Sequence, residues 1–540
     1  MSSEQSGKRK PAAPTGEAQK TKVHHPPGLW ILFFAEMWER FSFYGMRALL
    51  TLYMASPRRD TPAYADYVRT RLRNNQTPNK PGLGYSKEHA QHIYHAYGAL
   101  VYAFPVIGGK LADSLLGYRL AIIIGGVTMA LGHFIMTIEN TTFFFGALAL
   151  ISIGNGFFKP NISSLVGKLY NEGDSRRDAG FTIFYMGINL GALLAPAICG
   201  YLGEGGDWHN WHYGFGLAGV GMCIGLAWFI KGRARLEGHG EPPSAERLVK
   251  PIVAGLNPLI LILVGAIAMI PLAALGLWKN EYIGYALYTV AIIVLGYLLY
   301  VAFTEERTAR HRLFLVMVLM VFHTSFWAVF EQAGSSFTFL TDTFLDRKVF
   351  GYELKTSWFQ VVNPSMIVML APLFARTWNF LTRVDKNPSI PTKFALGNLG
   401  AALGFGVIVL GAHSVLGNVQ EGATVLPKMP LLYMILTYLM HTTGELCLSP
   451  VGLSAITKLS PPRAVGTVMG SWFLTISMAH KAAGFIAGLT TPHGFNKWTP
   501  VAKLSRYSAV YKVVGFVVGG MGLLLGVLSG LLKKLAHGVE

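Results

Sequence analysis

The sequence predicts an all-α polytopic membrane protein of fourteen transmembrane helices, two six-helix bundles with an accessory two-helix hairpin between them. Three observations carry that expectation. Of 540 residues, 52% are hydrophobic and only 14% are Asp, Glu, Lys or Arg, with mean hydropathy +0.40, far from the roughly 25% charged residues of soluble domains. Apolar runs long enough to cross the hydrocarbon, which takes about 20 residues, recur along the chain. These runs also divide by their polar content into six, two and six. The 46 Lys and Arg against 28 Asp and Glu give a net charge of +18, but the basic residues gather in short stretches between apolar runs, which argues against a nucleic-acid partner. Cys199, Cys223 and Cys447 lie inside apolar runs without CxxC or metal-ligand spacing. They read as small core residues, with neither a disulfide framework nor a metal site.

Residues 1–27 carry Lys8, Arg9, Lys10, Lys20 and Lys22 among Ser, Pro and Gly, and lack the apolar stretch of a cleavable signal. A disordered cytoplasmic tail is expected there. The first bundle, 28–230, is expected to hold spans at 28–54, 86–113, 118–138, 142–166, 180–203 and 211–230. A linker, 231–310, carries the hairpin at 251–278 and 282–303, two runs without a single Asp, Glu, Lys, Arg or His, and helices with nothing polar to hide can face lipid. The second bundle, 311–533, follows with spans at 311–340, 356–376, 393–414, 429–456, 463–490 and 508–532, and 534–540 forms a second cytoplasmic tail. An even number of spans returns both termini to one side. Lys231, Arg233, Arg235, Arg307, Arg310, Arg312, Arg383, Lys386, Lys458, Arg463, Lys533 and Lys534 all fall on that side, which the positive-inside rule makes cytoplasmic. The segment 56–85 falls outside yet holds Arg58, Arg59, Arg69, Arg71, Arg73 and Lys80, and the sequence offers no reason for it. Six spans, an accessory hairpin and six more spans is the two-halves pattern of major facilitator transporters.

A charge at the bilayer centre costs about 2.5–3.5 kcal/mol even on lenient scales, so charges there are functional candidates and need partners. In the first span, helical spacing places Glu36, Arg40, Tyr44 and Arg47 along one stripe, with Glu39 alongside. At about 1.5 Å per residue, Arg40 lies roughly 18 Å and Arg47 roughly 28 Å from the start of its span, and Glu331 roughly 30 Å along the span that runs the same way. Lys159 and Glu445 come out about 25 and 24 Å along two spans of the opposite direction. Pseudo-twofold symmetry between halves then sets Arg47 against Glu331 and Lys159 against Glu445 at opposite ends of a central cavity. These pairs read either as static packing ion pairs or as gates, one formed while the other is broken.

The motifs themselves resemble those of the proton-dependent oligopeptide transporters, the POT branch of the major facilitator superfamily. Glu36-x-x-Glu39-Arg40-Phe41-x-x-Tyr44-Gly45 is similar to that family's first-helix signature, with Phe43 where a Tyr is usual. Gly109-Lys-Leu-Ala-Asp113 through Arg119 resembles the superfamily's loop after helix two, and Phe158-Lys159-Pro160-Asn161 and Phe184-Tyr185 through Asn189-Leu-Gly191 resemble the helix-four and helix-five signatures, with Ala192 where Ser is common. Phe326-Trp327 through Glu331-Gln332, Phe359-Gln360 through Asn363-Pro364, Gly444-Glu445 through Pro450, and Gly470-Ser-Trp472-Phe473 are similar to the second-half signatures. The resemblance covers 28–533. It implies a symporter that takes up di- and tripeptides with protons as the coupling ion and without a cofactor. Arg40 and Lys159 would hold the peptide carboxylate, and Asn189, Asn363 and Glu445 its amino terminus. Tyr44, Tyr102, Trp327 and Trp472 would line side-chain pockets. Glu36, Glu39, Glu331 and Glu445 would handle protons, with His95 resembling the helix-two histidine of animal members. The family also suggests that a monomer suffices. The short external loops, with about a dozen residues between spans nine and ten, lack the large domain animal members insert there, so a bacterial inner membrane is expected.

The chemistry is coherent without the family. A zwitterionic peptide presents a cation and an anion one or two residues apart, which a dry cavity with Arg40 and Lys159 at one end and Glu445 at the other matches by charge. The rival substrates on this fold are nitrate or other small solutes, and an inorganic anion has no amino group for Glu445. A polytopic enzyme is the rival from another class, but the chain has no HExxH, no GxSxG at a strand-to-helix elbow and no Asp-rich metal pair. His95 has a second reading as a core histidine. His133, His323, His441 and His480 read structurally, and Asp113 with Arg119 as a cytoplasmic helix-loop latch.

Overall fold

The computed structural model describes residues 24–73, 78–171, 174, 176–205, 210–419, 425–461 and 464–539. Lys8, Arg9, Lys10, Lys20 and Lys22 of the tail, and Arg463, lie outside the described residues. Among the described residues, fourteen helices have 19 residues or more. They are α1 (Pro27–Ala55), α2 (Lys87–Leu111), α3 (Gly117–Ile135), α4 (Thr141–Lys168), α5 (Arg177–Gly203), α6 (Trp211–Gly232), α7 (Pro258–Trp278), α8 (Glu281–Thr304), α9 (Arg307–Phe330), α10 (Val362–Arg383), α11 (Ile390–Leu416), α12 (Leu431–Leu459), α13 (Val465–Thr490) and α14 (Pro500–Leu535). Among the described residues, eleven stretches are long and apolar enough to cross a membrane, one of them running through both α2 and α3. The helices α1 and α13 are not among them. The first carries Glu36, Glu39, Arg40 and Arg47, and the second is rich in Gly, Ser and Thr and holds His480 and Lys481.

Helix starts follow local chemistry. Asn140 accepts from the backbone N–H groups of Thr142 and Phe143 at the head of α4, Asn210 from His212 at α6, and Thr499 from Ala502 at α14, where Pro500 fills the first position. The expected span 311–340 is broken in two. After α9 the chain tightens into a 3₁₀ turn, Glu331–Gly334, and Ser335 leaves helical geometry at φ −130°, ψ −93° before Ser336–Phe344 resumes it. Glu331 therefore sits at a helix break, where backbone groups are freed and side chains can turn inward.

Packing follows two clusters. In the first half α1 packs on α5 and α6, and α4 on α2 and α3; in the second, α11 packs on α12 and α14, and α9 on α13. The halves meet through α2 against α13 and α5 against α10. The hairpin leans outside this arrangement, α7 on α4 and α8 on α9 and α13. Only 6% of the most apolar stretch of α7 and 22% of that of α8 is buried, which suits lipid.

In the loop after α2, Asp113 and Arg119 hold different partners. Asp113 accepts from Tyr118 Oη at 2.9 Å, whereas Arg119 pairs with Glu241 of the linker and donates to the His239 carbonyl at 2.6 Å. Arg119 thus clasps the linker rather than Asp113. Gly117 makes this possible: at φ 69°, ψ 161° it occupies a region nearly restricted to glycine, and a Cβ there would lie 2.5 Å from Glu241 C and Pro242 N. Gly117→Ala should cost about 1–3 kcal/mol. A thermal-unfolding measurement in detergent checks it, and an unchanged melting temperature would refute the tight clasp.

The basic segment 56–85 also finds a reason. Its short helix, Pro62–Arg73, lies at the face of the molecule away from the termini, here the distal face. Arg58 pairs with Asp60 and Arg69 with Asp66, while Arg71 reaches the other half to bond Asp342 at 2.8 Å. Burial works against the charge on Arg71, but the Asp342 carboxylate outweighs it and holds the guanidinium above its ordinary range.

Candidate functional site

Glu36, Glu39 and Arg40 are 1, 0 and 1% exposed, so the α1 stripe faces protein and cavity rather than lipid. Arg40 makes a two-pronged pair with Glu39, Nη2 donating to Oε1 at 2.5 Å, and its Nε lies 3.4 Å from Glu36 Oε1. Asn155 of α4 donates to the same Glu39 oxygen at 3.2 Å. The guanidinium lies 5.0 Å from the Phe43 ring and 5.9 Å from Tyr44. Glu36 Oε2 is buried without a hydrogen-bond partner, which leaves it open to a proton. Lys159 on α4 stands 4.5 Å over the Tyr102 ring and interacts electrostatically with Arg40, Tyr44, Glu39 and Glu36.

The second half supplies the opposite charge. Asn363, at the start of α10, donates to Glu445 Oε2 at 2.9 Å and to Thr442 Oγ1 at 3.0 Å. Trp327 donates to His323 Nε2 at 2.9 Å, and Trp472 stacks on that imidazole at 3.9 Å. His323 accordingly positions both candidate pocket tryptophans. Asn189 is turned back on its own helix, bonding the Tyr185 carbonyl at 2.9 Å.

Of the two symmetry-related pairs, one is made. Arg47 bonds both Glu331 and Tyr94 Oη. Among the described residues, no ion pair joins Lys159 to Glu445. The distal face is sealed by further links between halves: Thr51 to the Gly334 carbonyl at 3.1 Å, Lys87 to Thr343 at 3.1 Å, and Gln91 to Thr491 at 2.6 Å. The Glu204 carboxylate accepts from the backbone N–H groups of Thr356 at 2.7 Å and Ser357 at 2.8 Å. The structure is thus closed distally, with Lys159 and Glu445 unengaged by each other.

The model of the POT family matches residues 119–502. Peptide transporter YePEPT of Yersinia enterocolitica subsp. palearctica is 37% identical over 485 residues, 87% of this chain and 89% of that protein. The chain belongs to the POT family. It is a membrane transporter of that family and not an enzyme. The di-/tripeptide transporter of Lactococcus lactis subsp. cremoris is 33% identical over 533 residues, 96% of this chain and 97% of that one. Among solved structures, a mutant of peptide transporter POT in complex with alafosfalin matches with TM-score 0.77 and 34% identity over 96% of this chain and 97% of that one. A POT family transporter in complex with 5-aminolevulinic acid matches with TM-score 0.76 and 30% identity, over 95 and 98% of the two chains. The fold class expected from the sequence, all-α and polytopic of the major facilitator type, is the one these POT structures have.

Within this POT protein, two residues stand closer to the charged centre than the sequence suggested. Tyr94 shares Arg47 with Glu331, and His480, expected to be structural, lies 3.9 Å from Glu331 Oε1 and 3.4 Å from His95. His133 and His441 are both buried, and the His441 ring lies stacked on Phe337 and against Phe405, where core packing accounts for it.

Proposed function

We propose that this transporter is a proton-coupled symporter that imports di- and tripeptides by alternating access through a bacterial plasma membrane, with both termini cytoplasmic and the distal face outside. Arg40 and Lys159 receive the peptide carboxylate, and Glu445 with Asn363 and Asn189 receives its amino group. Tyr44, Tyr102, Trp327 and Trp472 accept side chains of many kinds, since aromatic walls and trapped water discriminate little. Protons act at Glu36, Glu39, Glu331 and Glu445, because protonating a buried carboxylate releases its basic partner. The observation that most supports this reading is a half-buried cation and a buried carboxylate, Lys159 and Glu445, with no ion pair between them among the described residues while the distal pair is closed. A ligand carrying both charges would engage the two at once. The names of the relatives above point the same way.

Glu445→Gln tests it. The variant should lose proton-driven dialanine uptake in liposomes and bind dialanine about tenfold or more weakly, since a charge-assisted hydrogen bond contributes about 1.5–3 kcal/mol. Affinity within about twofold of wild type would remove Glu445 from the amino-terminal role. The 5-aminolevulinic acid bound by one relative also pairs an amine with a carboxylate. Competition between it and dialanine, abolished together by Glu445→Gln, would show that the charges rather than the peptide bond select the substrate.

A further inference from the structure

The contact between α2 and α13 carries a histidine pair that the proposed mechanism has not used. His95 on α2 and His480 on α13 are 1 and 2% exposed, and their Nδ1 atoms lie 3.4 Å apart. His95 Nε2 bonds Ser335 Oγ at 2.9 Å, next to the helix break that holds Glu331. His480 Nε2 has no hydrogen-bond partner and lies 3.9 Å from Glu331 Oε1, the carboxylate that Arg47 engages. The His480 ring stacks on Tyr102, centroids 5.6 Å apart, and that ring also carries Lys159 Nζ. On the α2 side it rests on Gly98, where a Cβ would come within 2.4 Å of His480 Cε1. The imidazole is therefore wedged between the distal gate and the substrate-side lysine.

We infer that His480, working with His95, is the distal proton-entry residue that releases the Arg47–Glu331 gate. The inference rests on the symporter reading and names the group through which an outside proton acts on that gate. In the neutral pair one proton is shared between the two Nδ1 atoms, so one ring donates and the other accepts. With that proton on His480, its Nε2 is a bare lone pair facing a carboxylate, two acceptors that cannot bond each other. A proton taken from hydronium at the distal side forms a new N–H bond at Nε2 and leaves water. His480 then donates toward His95 through Nδ1 and presents a cation to Glu331 through Nε2. One carboxylate now faces two cations, and Arg47 is freed to leave. The groups facing His480 from the packed elements are Arg47 of α1, His95 and Tyr102 of α2, Lys159 of α4, and Glu331 at the end of α9. Its own neighbour Lys481 points away, its Cε 2.6 Å from a Cβ built on Gly284 of α8. A charged His480 would also share the Tyr102 ring with Lys159, favouring departure of Lys159 toward an anion.

The test reads the gate directly and needs no peptide. Spin labels at Ala65→Cys and Phe350→Cys, both exposed on the distal face in opposite halves, are placed in a Cys223→Ser background, since Cys199 and Cys447 are buried. In lipid nanodiscs, lowering the pH from about 8 to about 5, across the histidine range, should lengthen the label-to-label distance in the wild-type background. His480→Gln should reduce that acid-opened fraction about tenfold, and His480→Asn should do the same as a second neutral replacement. The distance at high pH, unchanged from wild type, certifies the fold in the same sample. Acid opening retained in both variants, or absent from wild type, overturns the inference. Peptide exchange measured on the same variants separates the two readings. Lost acid opening with normal wild-type exchange supports both, and acid opening that depends on His480 in a protein that moves no peptide would leave the gate residue standing and remove the substrate assignment.

Discussion

Arg47→Ala and Glu331→Ala should each abolish most proton-driven uptake, and combining them should cost little more than the worse single change. The pair is buried, with side chains 12 and 3% exposed, and removing one partner of a buried pair costs about 3–5 kcal/mol because the other is left uncompensated. Removing the second partner takes that penalty away. The coupling in a double-mutant cycle should therefore reach about 0.5–3 kcal/mol. The singles will differ from each other, since Arg47 without Glu331 keeps Tyr94 Oη and the Phe43 ring, whereas Glu331 without Arg47 keeps, among the described residues, His480 at 3.9 Å as its remaining basic neighbour. Arg47→Ala should therefore be the larger loss of the two. Losses that simply add would refute the pairing as a functional unit. A charge swap, Arg47→Glu with Glu331→Arg, should recover part of the uptake if the gate needs only attraction across it.

Most of the architecture was readable because a lipid-crossing helix must be a long apolar run, and such runs leave a mark that no tertiary contact can erase. The α1 stripe was readable for a related reason: Glu36, Arg40, Tyr44 and Arg47 recur at helical spacing, so their common face follows from the 3.6-residue period. Depth counting along two helices of like direction even brought Arg47 and Glu331 level. What periodicity cannot say is which faces of different helices meet. His95 and His480 are 385 residues apart, and nothing in Met478-Ala479-His480-Lys481 points at α2. Gly98, three positions after His95, and Gly484, four after His480, are the small residues that let the two helices approach there. The break after Phe330 does have a local mark, the polar and small run Glu331-Gln332-Ala333-Gly334-Ser335-Ser336, but the apolar residues Phe337, Phe339 and Leu340 carry the span past it, and only Ser335 leaves helical geometry. Arg71 and Asp342 are a long-range pair of the same kind, which is why the basic distal segment had no account until the second half was placed against it. Depth also levelled Lys159 with Glu445, but level residues on facing helices touch in one conformation and part in another, and the structure holds them apart.

Glu39→Gln should leave a carrier that exchanges peptide but cannot concentrate it. Glu39 holds Arg40 with both oxygens while Glu36 stands at 3.4 Å and Asn155 supports Glu39 from α4, so Arg40 is committed to α1 for as long as Glu39 is ionised. A proton on Glu39 cancels the stronger of its two anionic partners. The guanidinium, always charged, must then find another anion, and the peptide carboxylate is the one a loaded cavity offers, with Lys159 beside it. Glutamine fixes that protonated condition. Labelled dialanine should still exchange for unlabelled dialanine across liposomes, because exchange asks only that the loaded carrier reorient. Accumulation driven by an imposed proton gradient should fall to the level of passive equilibration, because a site that cannot lose its proton cannot draw on the gradient. Lys159→Ala should fail in the same assay for a linked reason: without the cation, the protonation of Glu36 and Glu39 no longer decides whether the inner gate closes, and the coupling between proton and peptide sites goes to zero. His95→Gln divides its two readings in the same vesicles, lost accumulation with retained exchange marking a proton role and near-normal accumulation marking a core residue. Should Glu39→Gln still accumulate dialanine against a gradient, the coupling proton does not reside on Glu39, and Glu36, Glu331 and Glu445 become the carboxylates to replace next.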